Sequence, residues 1–378
     1  MCSPIASGIS YISSMTDIDC SFLDIDDLSD CIYAFSKLSL NDLPKKTQQN
    51  EIDFNGEGSM PVKIYAGRSR YECKPLTSKS PRGAFGAVLF GYNNDTMEEV
   101  AVKLIAKQAG HHHFIMSELE VLRALQQTTS PYIMRFFDGF VVPSHMVFVT
   151  EKLEITVYDA IRSNILPLGL NTSRMITSQM LSALEELESL NIAHCDIKLD
   201  NVMISTFEPF VVKLIDFGQA IIINDMRKPT HKVQTSRVRA PEVVFRSNWS
   251  ISIDMWSLGC MSFQCTTGNN LFTATDENHL IQEIYELIGA PTDLSTTTNT
   301  FKEYFAWSDD KNAYIPIDAT IQTEHTRPLS KLEYMINDEA HITHQYIDFL
   351  RRVLTWDPSI RITPSDALLL PFFSTTQL

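Results

Sequence analysis

The sequence predicts an α+β chain in two lobes, a small β-rich one followed by a larger helical one. Two textures carry this. From Tyr71 to about Leu153 the residues fall into short β-prone runs with turn punctuation, and one helical pattern, Phe114 to Leu125, interrupts them. After that, successive long helical patterns take over, beginning with Thr172 to Leu190. Strands grouped with one helix and then runs of helices predict segregated layers. The expected boundaries are 66–151 for the small lobe and 152–375 for the large one, with residues 1–65 outside both.

Length and charge narrow the classes. A chain of 378 residues and 42.9 kDa can bury a large core. No apolar run approaches the ~18 residues needed to cross a bilayer, and the start of the chain lacks a basic stretch followed by an apolar one. A membrane partner is therefore not expected, and cytoplasm or nucleus is the expected location. The seven cysteines form an odd set with no CxxC pair, so neither a disulfide framework nor a zinc ribbon is indicated. A net charge of −15 argues against direct nucleic-acid binding and suits basic partners, or serves solubility alone.

Residues 1–65 carry ten acids before Val62, from Asp17 to Glu57, against Lys37, Lys45 and Lys46. With scattered serines and little periodicity, this stretch reads as a disordered acidic tail. A docking motif within Phe22 to Leu40 is the functional alternative.

The first chemistry-bearing stretch is Pro81-Arg82-Gly83-Ala84-Phe85-Gly86-Ala87-Val88, followed by Val100-Ala101-Val102-Lys103. Glycines let backbone N–H groups approach a triphosphate, and a lysine on the later strand can neutralise phosphate charge. In the helix after it, Ile115, Leu119, Leu122 and Leu125 line one face, with Glu118 placed to meet Lys103. His111, His112 and His113 cannot all face one ion from a helix, so they read as a polar helix start. Ser130 to Phe140 and His145 to Leu153 read as two strands. Thr172 to Leu190 is amphipathic, with Ile176, Met180, Leu184 and Leu187 on one face.

That helix delivers the chain to His194-Cys195-Asp196-Ile197-Lys198-Leu199-Asp200-Asn201, and Asp216-Phe217-Gly218 begins fifteen residues after Asn201. The apolar run Val211 to Ile215 puts Asp216 at a strand end. A carboxylate to receive a hydroxyl proton, an ammonium to hold a phosphate, and an amide with a second carboxylate to hold Mg²⁺ are the parts of phosphoryl transfer. Alone, Asp-Phe-Gly is a common turn and a loop aspartate a cap or surface charge. At this spacing the two together resemble the catalytic loop and DFG motif of eukaryotic protein kinases.

The resemblance runs from about residue 70 to 373 and implies the bilobed protein kinase fold, over 66–375. It implies that ATP is held by Arg82, Gly83, Ala84, Phe85, Gly86, Val88, Ala101, Lys103, Glu118, Thr150, Glu151, Leu153 and Met203. Glu151 and Leu153 would meet adenine through their backbone, and Thr150 would be the gatekeeper. Asp196, Lys198 and Asn201 would be catalytic, and Asn201 with Asp216 would hold Mg²⁺. Leu122, Phe136, His194 and Phe217 match the stacked apolar spine. Ala240-Pro241-Glu242, Asp254 and Arg361 match the APE motif, the buried aspartate that holds the catalytic loop, and the partner of Glu242. An insert at about 292–342, Arg239-Ala240-Pro241-Glu242 and Leu370-Pro371-Phe372-Phe373 look like the CMGC group. Val157-Tyr158-Asp159 and a small residue, Cys195, in place of the catalytic-loop arginine look most like its homeodomain-interacting, DYRK and LAMMER kinases.

The implied activity is transfer of the ATP γ-phosphoryl group to Ser or Thr of protein substrates, basic or proline-containing, by a monomer. Dual specificity toward Tyr is left open. Pro81 departs from the family where a first glycine belongs, and Lys232 stands where relatives carry an activating tyrosine. Thr230 matches the activating threonine of cyclin-dependent kinases, but Cys195 removes the arginine that would pair its phosphate. The alternative is a pseudokinase that binds partners without efficient catalysis.

Overall fold

The computed structural model describes residues 51–53, 62–66, 69–74, 82–83, 86–106, 112–142, 145–223, 232–291, 298–310, 312–317, 332, 336 and 340–374. The small lobe is built on strands β1 (Glu51–Asp53), β2 (Val62–Ala66), β3 (Ser69–Cys73), β4 (Arg82–Gly83), β5 (Gly86–Asn93) and β6 (Glu99–Ala106). Helix α1 (His112–Leu125) follows, then β7 (Phe136–Val141) and β8 (His145–Glu151). These strands form one antiparallel eight-stranded sheet in the order β1-β2-β3-β5-β6-β8-β7, with β4 paired to β5.

Side-chain alternation on β6 decides what faces where. Val100, Val102 and Leu104 are buried with Ile64, Tyr71, Leu89, Val147 and Val149, whereas Ala101 and Lys103 occupy the opposite face. The same register sets Lys103 opposite Val88 on one side and Phe148 on the other, and Ala101 opposite Thr150. On α1, Ile115, Leu119, Leu122 and Leu125 are buried, as their helical spacing predicted.

Two expectations are corrected here. The stretch read as a tail, 1–65, contains β1 and β2, although its other residues lie outside those described. An average over a long acidic stretch hid the alternation in Val62-Lys63-Ile64-Tyr65-Ala66, where Ile64 is fully buried in the sheet core. The other concerns Ser130 to Phe140, of which only Phe136 onward is strand. Before it, Thr128 and Ser130 hydroxyls accept from the backbone of Ser130 and Tyr132, an alternative to ladder bonds that makes the approach a turn.

The large lobe opens with β9 (Ile155–Thr156), α2 (Val157–Arg162) and α3 (Leu170–Ser189). Ile176, Met180, Leu184 and Leu187 of α3 are buried as expected. Next come β10 (Ile192–Ala193), β11 (Val202–Phe207), β12 (Phe210–Leu214) and β13 (Ile221–Ile222). Helices α4 (Pro241–Val244) and α5 (Ser252–Thr267) lead to α6 (Glu277–Ile288), α7 (Phe301–Tyr304), the hairpin β14 (Phe305–Ser308) and β15 (Ala313–Pro316), then α8 (Ala340–Val353), α9 (Pro364–Leu368) and α10 (Pro371–Ser374).

Helix α5 is the axis of this lobe. Ile253 through Phe263 are all buried, which a helix apolar on every side requires. Helix α8 approaches it so closely that a Cβ on Gly259 would lie 2.6 Å from Val353 Cγ2. Arg361 fastens α4 to α5: its guanidinium donates to both Glu242 oxygens, at 2.5 and 3.0 Å, and to Ser252 O at 3.0 Å. The expected insert contributes α7 and the β14–β15 hairpin, where Phe301 and Phe305 pack with Phe245 and Trp356. No helix among the described residues is long and apolar enough to cross a membrane.

Candidate active site between the lobes

Strand pairing brings the loop aspartate, amide and second carboxylate together. Antiparallel β11 and β12 set Val202 opposite Leu214, and Ile215 N–H donates to Asn201 O at 2.9 Å. Asn201 and Asp216 therefore emerge at the same end of that hairpin. Asp216 adopts a left-handed backbone (φ 59°), and so does Cys195 in the loop (φ 64°), each a cost of about 1 kcal/mol or more for a side chain with a Cβ.

Buried bonds hold the loop in that shape. Asp254 of α5, fully buried, accepts from His194 N at 2.6 Å and Cys195 N at 2.9 Å. Burial pushes the Asp254 carboxyl up to about 7. His194 is itself buried, and burial holds its imidazole below the ordinary value. Its Nδ1 accepts from Asp196 N at 3.2 Å, so the neutral ring carries its proton on Nε2 and donates to Ile215 O at 3.0 Å. Phe217 packs edge-on against it, with ring centroids 5.0 Å apart.

Asp196 is the meeting point. Its Oδ2 accepts from Lys198 Nζ at 2.6 Å and Asn201 Nδ2 at 2.9 Å, and its Oδ1 from Thr235 Oγ1 at 2.9 Å. Across the cleft, Lys103 Nζ lies 2.7 Å from Glu118 Oε1 and 3.5 Å from Asp216 Oδ1. Burial alone would lower the Lys103 pKa, but the two carboxylates outweigh it and hold the ammonium above its ordinary value. Burial alone would raise Asp216, and the Lys103 ammonium with the Gly218 N–H carries it below the usual range instead. A Cβ on Gly218 would come within 3.3 Å of Asp216 Oδ1, so glycine leaves that carboxylate room.

The donor set fits Mg²⁺. Asp216 is ionised and about half exposed, with side-chain exposure of 51%. The Asn201 amide nitrogen is spent on Asp196 O and Oδ2, which leaves its oxygen as the acceptor, and both are hard oxygen ligands.

Residues expected at the nucleotide fall on the elements around this cleft. Arg82 and Gly83 form β4, paired to Ala87 and Gly86, and Ala84 and Phe85, like Pro81, lie outside the described residues. Val88, Ala101 and Met203 are half-buried on β5, β6 and β11. Thr150 donates its hydroxyl to Glu151 O at 3.2 Å. Glu151 N–H is taken by Arg135 O at 3.0 Å, so only its carbonyl remains for a ligand. Thr230 is outside the described residues.

Three relationships were not foreseen. Thr235 reaches Asp196 from 39 positions away. Glu151, read only for its backbone, uses its carboxylate to grip buried Lys213 at 2.7 and 2.9 Å, joining β8 to the strand that leads to Asp216. Arg239, noted only as part of a motif, is buried and donates to the carbonyls of Val233 and Gln234. Hydroxyl, ammonium and guanidinium were all visible as residue types. Their partners were not, because nothing local selects them.

Fold and site together define a protein kinase domain, and the chain belongs to that family: the family's sequence model matches residues 79–373. Among curated proteins it is similar to dual specificity tyrosine-phosphorylation-regulated kinase 3 of Rattus norvegicus, 27% identical over 323 residues, 81% of this chain and 54% of that protein. It is also similar to homeodomain-interacting protein kinase 4 of Mus musculus, 28% identical over 348 residues, 82% of this chain and 56% of that protein. The chain spans about half the length of these relatives. Both relatives lie in the branch that Val157-Tyr158-Asp159 and Cys195 resemble.

Proposed function

We propose that the chain is an active protein serine/threonine kinase that transfers the ATP γ-phosphoryl group to protein hydroxyls. The observation that carries this is the Asp196 carboxylate set between the Lys198 ammonium and the Thr235 hydroxyl, across the cleft from the Lys103–Glu118 pair.

In this reading an acceptor hydroxyl takes its place at Asp196, which orients it and accepts its proton as the new O–P bond forms. The bond from the γ-phosphorus to the bridging oxygen breaks, and ADP leaves. Lys198 offsets charge on the transferred group, and Lys103, fixed by Glu118, holds the α and β phosphates. Asn201 and Asp216 would hold Mg²⁺, which when bound neutralises charge on the phosphate oxygens. Asn201 also fixes Asp196 through two bonds from its amide, to the backbone and the carboxylate.

Proline-containing acceptors suit the segment before Thr235. Gln234 has a left-handed backbone (φ 66°) and its carbonyl accepts from Arg239 Nη2 at 2.7 Å, so it offers a docked peptide no acceptor for an N–H. A residue after the acceptor that lacks an N–H loses nothing there.

A partner-binding pseudokinase is the second reading, favoured by Pro81 where the family's first glycine belongs and by Cys195, a neutral thiol in place of the catalytic-loop arginine of cyclin-dependent kinases. Incubation of the purified chain with Mg-ATP separates the two. Wild type is expected to incorporate phosphate and Asp196→Asn to incorporate at least about a hundredfold less. Equal incorporation by both proteins, or none by either, would remove the catalytic reading.

A further inference from the structure

Beyond the residues assigned to transfer, one charged cluster governs the backbone that enters Thr235. Glutamine gains nothing locally from the left-handed conformation of Gln234. Its surroundings impose it. The side-chain amide donates to Ile253 O at 2.9 Å and Ser257 Oγ at 2.8 Å, and its oxygen accepts from Ala240 N at 2.9 Å. The Gln234 carbonyl then meets Arg239 Nη2 at 2.7 Å, while Arg239 Nε takes Val233 O at 3.0 Å. Val233, Gln234, Arg239 and Ala240 sit in one short segment, and the guanidinium closes it into a ring.

That guanidinium is a buried cation, with side-chain exposure of 8%, and a cation there needs an anion. Glu277, at the first turn of α6, supplies it: Oε1 lies 3.4 Å from Arg239 Nη1 and accepts from Lys232 Nζ at 2.7 Å. One carboxylate oxygen thus holds both ends of the segment, before Val233 and after Val238.

We propose that Glu277, steadied by Lys232, is a positioning residue that clamps Arg239 onto the Val233 and Gln234 carbonyls and so presets the peptide-docking segment without phosphorylation. Lys232, Gln234, Arg239 and Glu277 carry no hydroxyl, so no member of the clamp can accept a phosphoryl group. The functional consequence rests on the kinase reading above, since it assumes that the acceptor peptide docks beside Thr235. The clamp itself does not.

The test is hydrogen exchange across Val233–Val238 in the full chain after phosphatase treatment. Glu277→Gln keeps the size of the side chain and removes its charge, and is expected to speed exchange there roughly tenfold or more. Lys232→Met, which removes the exposed member of the pair, is expected to change it no more than about threefold. Asp276→Ala is the control, because Asp276 caps the same helix through His279 N without touching Arg239. It removes one cap bond while leaving the Glu277 carboxylate beside Arg239, so Val233–Val238 should exchange as in wild type. In peptide assays Glu277→Gln should raise KM for a Ser-Pro peptide with KM for ATP unchanged. Unaltered exchange in Glu277→Gln, an equal rise in Asp276→Ala, or a rise in wild type on phosphatase treatment alone would overturn the clamp. A wild type that phosphorylates no peptide would count against the kinase reading, while the exchange result still decides the clamp.

Discussion

Thr235 donates its hydroxyl to Asp196 Oδ1 at 2.9 Å while Lys198 occupies Oδ2 at 2.6 Å. The carboxylate is thereby held in one rotation, with an oxygen steered by each partner. Thr235→Ala frees it and should lower kcat roughly tenfold or more with KM for ATP unchanged, and Thr235→Ser, which keeps the hydroxyl, should stay within about threefold of wild type. Steady-state peptide kinetics measure both, and equal rates for Ala and Ser would show that the contact does not orient Asp196.

Glu118 gives the Lys103 ammonium a partner 2.7 Å away, and only a fixed ammonium can meet a phosphate at a set position. Glu118→Gln is expected to weaken ATP binding about tenfold. Calorimetric titration with a non-hydrolysable ATP analogue reads this without turnover. An unchanged Kd would separate the pair from nucleotide binding.

Thr150 is small, and its side chain lies near Ala101 O on the adjoining strand. Inhibitors with a bulky group behind the adenine should bind, and Thr150→Phe should lose them by at least about tenfold because the ring fills their space. Identical affinity for both proteins would remove Thr150 from the gatekeeper position.

His194 sets a pH dependence whose sign follows from burial. The folded chain holds the ring neutral below the ordinary value of 6.5, and the unfolded chain protonates it there. The unfolded state therefore binds more protons, and the stability this ring contributes is present above 6.5 and lost as the pH falls through the window below it, by up to about 1.4 kcal/mol per pH unit. His194→Phe cannot titrate. Urea unfolding from pH 7 to pH 5 should show the stability gap between wild type and variant narrowing, and a constant gap would mean that the ring does not stay neutral.

Arg361 and Glu242 are almost wholly buried, with side-chain exposures of 0% and 2%. Glu242→Gln leaves a buried guanidinium without its counter-charge, which costs about 3–5 kcal/mol. The urea midpoint should fall accordingly. A shift no larger than that of a surface pair would show that Ser252 O and Thr355 O satisfy Arg361 unaided.

Much of the site was legible from residue order because its chemistry is concentrated in short segments. Asp196, Lys198 and Asn201 sit within one loop, and Asp216 follows at a strand end, so their spacing, with the kinase motifs it resembles, brought them forward. Lys103 and Glu118 were legible for a related reason: a strand and the next helix, fifteen residues apart, have few ways to meet. The helical faces of α1 and α3 followed from periodicity, which burial obeys directly.

What only the tertiary structure decided is which charged and polar groups answer one another over long separations. Glu151 finds Lys213 across 62 positions, Arg239 finds Glu277 across 38, and Thr235 finds Asp196 across 39. Each residue had many chemically equivalent partners in the chain, and the packing of whole strands and helices chose among them. The two strands at 51–53 and 62–66 belong to the same class, since a short strand acquires its identity from the sheet that accepts it. Local spacing settles which groups can do chemistry. Burial and sheet register settle how they are held.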